Sequence, residues 1–332
     1  MWINTPIMGY DYQTDRSPLR PCFEGYSMPR TVALPSQYAR LIDASAALPP
    51  VRTGVVHPCD ALSLTGALDA AARGIIVPVL IGPAAKITAT AQDAGLSLTG
   101  IEIIDAPHSH AAAATAVALA RAGKVAALMK GALHTDELMD AAVDSAAGLR
   151  TERRMSHIYV LDVPTYPKPL LITDAAINVD PDLSAKRDIV QNAIDLAHAL
   201  GVALPKVAIL AAVETVNPRM ISTLHAAALC KMADRGQITG GLLDGPLAFD
   251  NAISSESATA KGIVSQVAGD ADILVAPDLE SGNMMAKQLI YLAGAQAAGL
   301  VMGASVPIIL TSRADNSWAR LASCALARLV IG

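Results

Sequence analysis

The chain has 332 residues, is 52% hydrophobic and carries a formal net charge of −5. That is core material for two domains; with no basic tract interleaved with aromatic residues, nucleic acid is excluded as a partner. No charge-free apolar run reaches the about 18 residues of a membrane span, no leader pattern is present, and Cys22, Cys59, Cys230 and Cys324 form no CxxC pair. The expectation is a soluble cytoplasmic protein with free thiols, not a disulfide or zinc scaffold.

Residues 1–50 mix Pro, Tyr, Arg and Ser without a period and read as an irregular arm. Helical periodicity then covers 61–73, Gly74 stops it, and 75–81 reads as a buried strand. Helix 86–94, strand 101–105, helix 110–122 ended by Gly123, strand 125–129 and helix 136–147 follow. Near 155 the alternation breaks: strands 158–163 and 170–173, joined by the Pro-rich segment 164–169, predict a hairpin or β-arm. Helix 186–200, strand 207–211, helix 222–235, strand 238–243, helix 257–267, strand 273–275 and helix 283–298 come next. Strand 306–310 and helix 317–330 close the chain. Alternating helices and short β-rich runs predict βαβ units in a mostly parallel sheet. The division expected is an arm (1–50), a first α/β domain (51–150 with 304–332) and a second (151–303).

Four strand-end turns concentrate chemistry, where an open α/β sheet keeps its ligands. The last, Thr311-Ser312-Arg313-Ala314-Asp315, holds a hydroxyl, a fixed cation and a carboxylate; it reads equally as a cap on the following helix. Lys130-Gly131-Ala132-Leu133-His134-Thr135 offers a close backbone approach at Gly131, a charge at Lys130, and helix-start amides suited to an anion. Asp136 and Glu137 favour the same dipole, so an ordinary capped junction competes. Pro277-Asp278-Leu279-Glu280-Ser281-Gly282-Asn283 is a third, with Lys287 one helical turn on; a plain turn with a cap is the other reading. Asp244, in the run 243–250, faces a crevice or caps a turn. With Asp250 it makes a weak metal pair lacking a third ligand at a telling spacing, so no metal site is expected. His108-Ser109-His110 reads as capping and solvation, and Glu214 at a strand end means little alone. There is no GxxxxGK[ST], no GxGxxG after a strand and no GxSxG elbow, which removes the P-loop, the ordinary dinucleotide fold and the α/β-hydrolase.

In order, Gly131–Thr135, 244–250, 277–283 and 311–315 resemble the turns of the phosphate acetyltransferase/phosphate butyryltransferase family, and the similarity runs from about Val51 to the end. Segments 153–178, 186–201 and 228–254 look like the phosphotransacetylase portion of bifunctional enoyl-CoA hydratase/phosphate acetyltransferases. With only residues 1–50 ahead of the module, the expectation is a stand-alone transferase. The resemblance implies two α/β domains flanking a cleft, similar to isocitrate and isopropylmalate dehydrogenases, and a homodimer. It implies the exchange acyl-CoA + phosphate ⇌ acyl phosphate + CoA, with acetyl as the expected group. CoA and phosphate are then small-molecule substrates, and no cofactor or metal is bound.

By resemblance, Ser312 and Arg313 match the family's Ser-Arg pair. Gly131, Ala132, His134 and Thr135 match its phosphate-side loop, with Lys130 beside them. Asn283 and Lys287 match the turn and helix beside the active site, with Asp244 and Asp278 on the cleft and CoA side. Two positions depart from the pattern. Ala319 occupies the place of the presumed base Asp, so Asp315 is nominated instead. Met139 occupies the place of an Arg linked with CoA, so CoA contacts differ. A metal- and NAD-dependent β-decarboxylating dehydrogenase of the same architecture and a non-catalytic acyl-CoA or phosphate-ligand binder are the competing readings.

Overall fold

The computed structural model describes residues 37–311 and 315–332. The chain forms α1 (Gln37–Ala46), β1 (Val51–Val56), α2 (Ala61–Ala72), β2 (Ile76–Gly82), α3 (Ala84–Asp93), β3 (Glu102–Asp105), α4 (Ser109–Arg121), β4 (Ala127–Lys130) and α5 (Thr135–Val143). It continues through β5 (Ser156–Asp162), β6 (Leu170–Thr173), α6 (Leu183–Ala199), β7 (Lys206–Leu210), α7 (Ile221–Asp234) and β8 (Leu242–Leu247). Then come α8 (Phe249–Ile253), α9 (Ser255–Ala260), β9 (Ile273–Val275), α10 (Leu279–Leu292), β10 (Gln296–Met302), β11 (Ile308–Ile309) and α11 (Ser317–Ile331).

These strands make one 11-stranded sheet in the order β3-β2-β1-β4-β11-β10-β5-β6-β9-β7-β8. β3, β2, β1, β4 and β11 are parallel. β10 is antiparallel to both β11 and β5, and β5 to β6. β6, β9, β7 and β8 are again parallel. The protein is thus a mixed α/β fold with parallel strands on both wings and antiparallel pairs at its centre. The 158–163/170–173 hairpin is the β5–β6 pair.

Period-2 alternation divides the side chains between the faces. Ile158, Val160 and Leu300 point into a continuous core with Tyr38, Leu64, Ile194 and Leu326 from α1, α2, α6 and α11. The opposite face carries two separate cores. Val56, Leu128 and Leu310 pack with Val117 and Leu138 of α4 and α5, while Tyr159, Leu161 and Ile172 pack with Ala252 and Ala286 of α8 and α10. Among the described residues these two clusters stay separate.

Several elements differ from expectation. Residues 37–46, assigned to the irregular arm, form α1. Tyr38 is fully buried there, and its hydroxyl donates to the carbonyls of Val160 and, at 3.0 Å, Gln296. The helix expected over 283–298 stops at Leu292, and the Ala- and Gly-rich stretch from Gln296 is the central strand β10. Pairing on both edges with β5 and β11 overrides the weak strand preference of Ala. Small residues are needed there: a Cβ on Gly299 would lie 2.5 Å from the Leu310 carbonyl oxygen and 2.7 Å from His157 Nε2. The strand expected over 238–243 lies later, at β8, where an edge position tolerates Pro246. The helix expected over 257–267 is instead the short pair α8 and α9, ended at Gly262 with φ 67°.

Candidate active site

β1, β2 and β3 step outward in one direction, and α4 then carries the chain back so that β4 pairs on the other side of β1. The carboxyl ends of β1 and β4 therefore flank a topological switch point, the usual seat of a ligand in such sheets. A groove of about 520 Å³ opens there. Lys130, Leu133, His134 and Thr135 supply one wall, Leu279, Asn283 and Lys287 of α10 the other, and His157, Tyr159, Leu310 and Thr311 the floor.

The first wall is set by close backbone packing. The amides of Gly131 and Ala132 donate to the carbonyls of Val56 and His57, both at 2.9 Å. Any Cβ on Gly131 would run into the Val56 carbonyl oxygen and sit 2.7 Å from that of His57, so only glycine fits. Lys130 is 4% exposed and its Nζ reaches the Gly131 carbonyl at 3.4 Å. Glu137 accepts from the His134 amide at 3.1 Å and meets His110 Nδ1 at 3.3 Å. The Ser109 hydroxyl holds its carboxyl below the usual range. Two amides at this helix start are thereby spent, that of His134 on the Glu137 carboxylate and that of Glu137 on the His134 side chain, while Thr135 lines the groove.

The second wall begins at Asp278, which caps α10 by accepting from the Ser281 amide at 2.8 Å. Gly282 packs on the Asp174 carbonyl with no room for a side chain, and Asn283 Nδ2 donates to the Ala175 carbonyl at 2.9 Å. The buried Asp174 carboxylate accepts from the amides of Ala176, Ile177 and Asn178 at 2.9–3.1 Å. These bonds lock the β6 exit loop against the start of α10 and leave Lys287 exposed on the groove.

On the floor, His157 is 1% exposed. Burial pushes its pKa down to about 4, against the pull of the Asp174 carboxylate, so the imidazole is neutral near pH 7. Its Nδ1 has no hydrogen-bond partner among the described residues. Tyr159 stacks edge-on to it at 4.5 Å; burial, then the nearby Asp315 and Tyr291, raise the phenol to about 12. Thr311, at the end of β11, accepts from Arg320 Nη1 at 2.9 Å.

Ser312 and Arg313, which follow Thr311, lie outside the described residues, as do residues 1–36 of the expected arm. Asp315 lines a neighbouring cavity with Tyr38, Tyr291 and Trp318, and Asn316 caps α11 by accepting from Ala319 at 2.9 Å. Lys130, His134, Thr135, Asn283 and Lys287 come together; Gly131 and Ala132 shape their wall, and Asp278 anchors the other. Asp244 is not among them: it lies on the edge strand β8 and accepts from the next amide at 2.8 Å. Asp250 pairs with Lys261 at 3.3 Å, and His108 caps α4. Among the described residues no group of three or more His, Cys, Asp or Glu could hold a metal ion.

His157, Tyr159, Arg320 and His57 carry no motif in the sequence. His57 follows β1 with φ 52° and a buried Nδ1 without a hydrogen-bond partner among the described residues. A left-handed non-glycine residue carries strain, held here by the 2.9 Å bond from the Ala132 amide to the His57 carbonyl. The available sequence signal was a histidine closing an apolar run at 54–57, visible only once that run is read as a strand.

The model of the family described as phosphate acetyl/butaryl transferase matches residues 108–327. A phosphate acetyltransferase of Rhizobium meliloti is 62% identical over 300 residues, covering 90% of this chain and 95% of that one. A phosphate butyryltransferase of Clostridium acetobutylicum is 43% identical, covering 80% and 88%. The crystal structure of a branched-chain phosphotransacylase from Enterococcus faecalis V583 superposes with a TM-score of 0.73 at 28% identity, covering 84% of this chain and 99% of that one. The chain belongs to the phosphate acetyl/butyryl transferase family.

Proposed function

We propose that the protein reversibly transfers a short acyl group, acetyl first among them, between coenzyme A and inorganic phosphate. The observation that carries this reading is the groove that gathers Lys130, Thr135, Asn283 and Lys287 at the switch point of a chain belonging to this family. Phosphate binds at Lys130 and the Thr135 helix start, where a formal charge and the helix dipole favour an anion. In the thioester-forming direction the CoA thiol gives up its proton, because the thiolate is the nucleophile. Sulfur attacks the acyl carbonyl carbon, an oxyanion forms, and the carbon–oxygen bond to phosphate breaks. Arg313 and Ser312 follow the groove residue Thr311 in the chain and are assigned to the oxyanion and the phosphoryl oxygens. Losing one such donor costs about 3–4 kcal/mol in the barrier. Asp315 is the assigned base, and Asp244 takes no part.

On this reading residues 51–150 with 304–332 and residues 151–303 are two α/β domains on either side of the groove, in an isocitrate/isopropylmalate dehydrogenase-like plan. The reversal of strand direction at β10 and β5 supports that division. The working unit is a cytoplasmic homodimer; the free thiols Cys59, Cys230 and Cys324 accord with a reducing compartment. Thioester absorbance with CoA and acetyl, propionyl or butyryl phosphate tests the activity. Arg313→Ala should abolish it without unfolding the chain, and near-normal turnover in that variant would remove Arg313 from the mechanism. For Asp315→Asn, an unchanged pH–rate profile would remove Asp315 as base.

A further inference from the structure

The acyl-transfer steps assigned above leave His157 on the groove floor unused. Its ring starts on β5 and crosses the adjacent strand β10 over Gly299, where a Cβ would lie 2.7 Å from Nε2 and 2.5 Å from the Leu310 carbonyl oxygen. The imidazole bonds to the Leu310 backbone. Nδ1 has no hydrogen-bond partner among the described residues, so Nε2 is the donor. That bond places the proton on Nε2 and leaves Nδ1 as a lone-pair acceptor. Leu310 precedes the groove residue Thr311, and β11 pairs with β4, which ends at Lys130. The ring is thereby carried from the centre of the sheet toward the cation assigned to phosphate.

A buried acceptor without a donor is destabilising, and in a native fold it marks a place for a ligand or for chemistry. The neighbouring groups do not fill it. Asp174 acts on the ring from the end of β6, but its carboxylate accepts from the amides of Ala176, Ile177 and Asn178 and from the Asn178 side chain. Tyr159 meets the ring edge-on. Lys130, His134 and Lys287 line the same groove, where the two lysines draw an anion in. Asp315 lines the neighbouring cavity instead.

The reaction supplies a donor. In the direction that makes acyl phosphate, hydrogenphosphate carries one hydroxyl. A carbon–oxygen bond forms from one of its charged oxygens, and the carbon–sulfur bond breaks with its electron pair on sulfur. One proton must then pass from the phosphoryl hydroxyl to sulfur. Acylation makes that hydroxyl acidic: a phosphate monoester already loses its last proton near about pH 6, and a carbonyl withdraws more charge. Burial holds the His157 imidazole down to about 4, so it takes such a proton only in passing.

We propose that His157 Nδ1 is the proton acceptor at the phosphoryl end of the groove, taking the hydroxyl proton as phosphate is acylated and releasing it toward sulfur. Groove water carries the proton on to Asp315, which returns it to the thiolate. In the thioester-forming direction the same group gives the departing phosphate its proton. The assignment rests on the acyltransferase reading.

His157→Gln keeps an amide N–H for the Leu310 carbonyl and removes the titrating lone pair. At about pH 7.5, kcat for thioester formation from acetyl phosphate and CoA should fall about 100-fold or more, with either KM changed less than about threefold. Below about pH 6 a growing share of acyl phosphate brings its own proton, so the deficit of the variant should narrow toward acid. A structural role would hold the ratio of variant to wild type constant with pH. A kcat within about twofold of wild type, or a deficit that does not narrow while circular dichroism shows both proteins folded, overturns the assignment. Should the variant not fold, kcat of the wild type in D₂O gives the answer: slowing is expected, and an unchanged rate overturns the relay. A wild type that makes no thioester from any short acyl phosphate would overturn the acyltransferase reading and the relay with it, whereas a loss confined to the variant supports both.

Discussion

Arg320 donates from Nη1 to the Thr311 hydroxyl at 2.9 Å, joining α11 to the end of β11 immediately before Ser312 and Arg313 in sequence. Arg320 is almost wholly buried, at 3% exposure, and α2 makes room for it with Gly66, where a Cβ would come within 2.7 Å of Arg320 Cδ. Arg320→Met should cost about 1.5–3 kcal/mol, the usual worth of a hydrogen bond to a charged group. It should also lower kcat more than it raises KM, because Thr311 lines the groove. Urea unfolding and steady-state kinetics together check this; a purely structural role would lower stability and leave kcat intact.

Gly131 offers a sharper separation of packing from charge. Gly131→Ala forces a methyl against the Val56 and His57 carbonyl oxygens, so the loop must shift off its two backbone bonds. The expected loss is about 1–3 kcal/mol, together with a raised KM for phosphate. Lys130→Met keeps the loop glycine and removes the cation together with its bond to the Gly131 carbonyl. It should raise KM for phosphate with a smaller effect on the melting temperature.

Most helices and strands were legible because their signals are local. Gly74 and Gly123 end helices in left-handed conformations, with φ 71° and 65°. The groove walls were legible for a similar reason, since Gly131 and the start of α10 at Asp278 mark turns by chemistry. The floor was not. His157 and Tyr159 sit in a largely apolar run of β5, and nothing local says which face they take or that a groove opens over it. β10 was hidden because its Ala and Gly residues favour a helix in isolation, and only the neighbouring strands make them a strand. Arg320 looked like one more polar position on α11 until Gly66, distant in sequence, showed why it fits.

Tyr38 gives a prediction for α1. Its hydroxyl bridges the Val160 and Gln296 carbonyls of β5 and β10, tying the helix across the two central antiparallel strands. Tyr38→Phe keeps the ring in the core but leaves both carbonyls short of a donor. A loss of about 1–3 kcal/mol is expected, with hydrogen exchange at the edge of β10 rising most. Exchange unchanged in β10 would mean that the bridge does not hold the strand.

His157 sets a pH dependence that its own replacement can separate from that of the other histidines. Its folded pKa, about 4, lies below the ordinary 6.5 because burial disfavours the imidazolium, with Asp174 opposing. Above pH 6.5 the ring is neutral in both states and its contribution to stability is fully present. As pH falls from 6.5 toward 4 the unfolded chain takes up the proton first, so stability falls by up to about 1.4 kcal/mol per pH unit. His57 and His225 are shifted the same way, mainly by burial, and add to the wild-type slope. The carboxylates held low, such as Asp144 and Asp182, start from an ordinary value of 3.8 and act chiefly below about pH 4.5. Denaturation of wild type and His157→Gln between pH 6.5 and 4.5 therefore isolates this residue. The variant should show the shallower slope, and the two curves should diverge steadily toward acid. Parallel curves would mean that His157 accepts a proton inside the fold as readily as outside it, and that the groove floor is charged when the enzyme is assayed in mild acid.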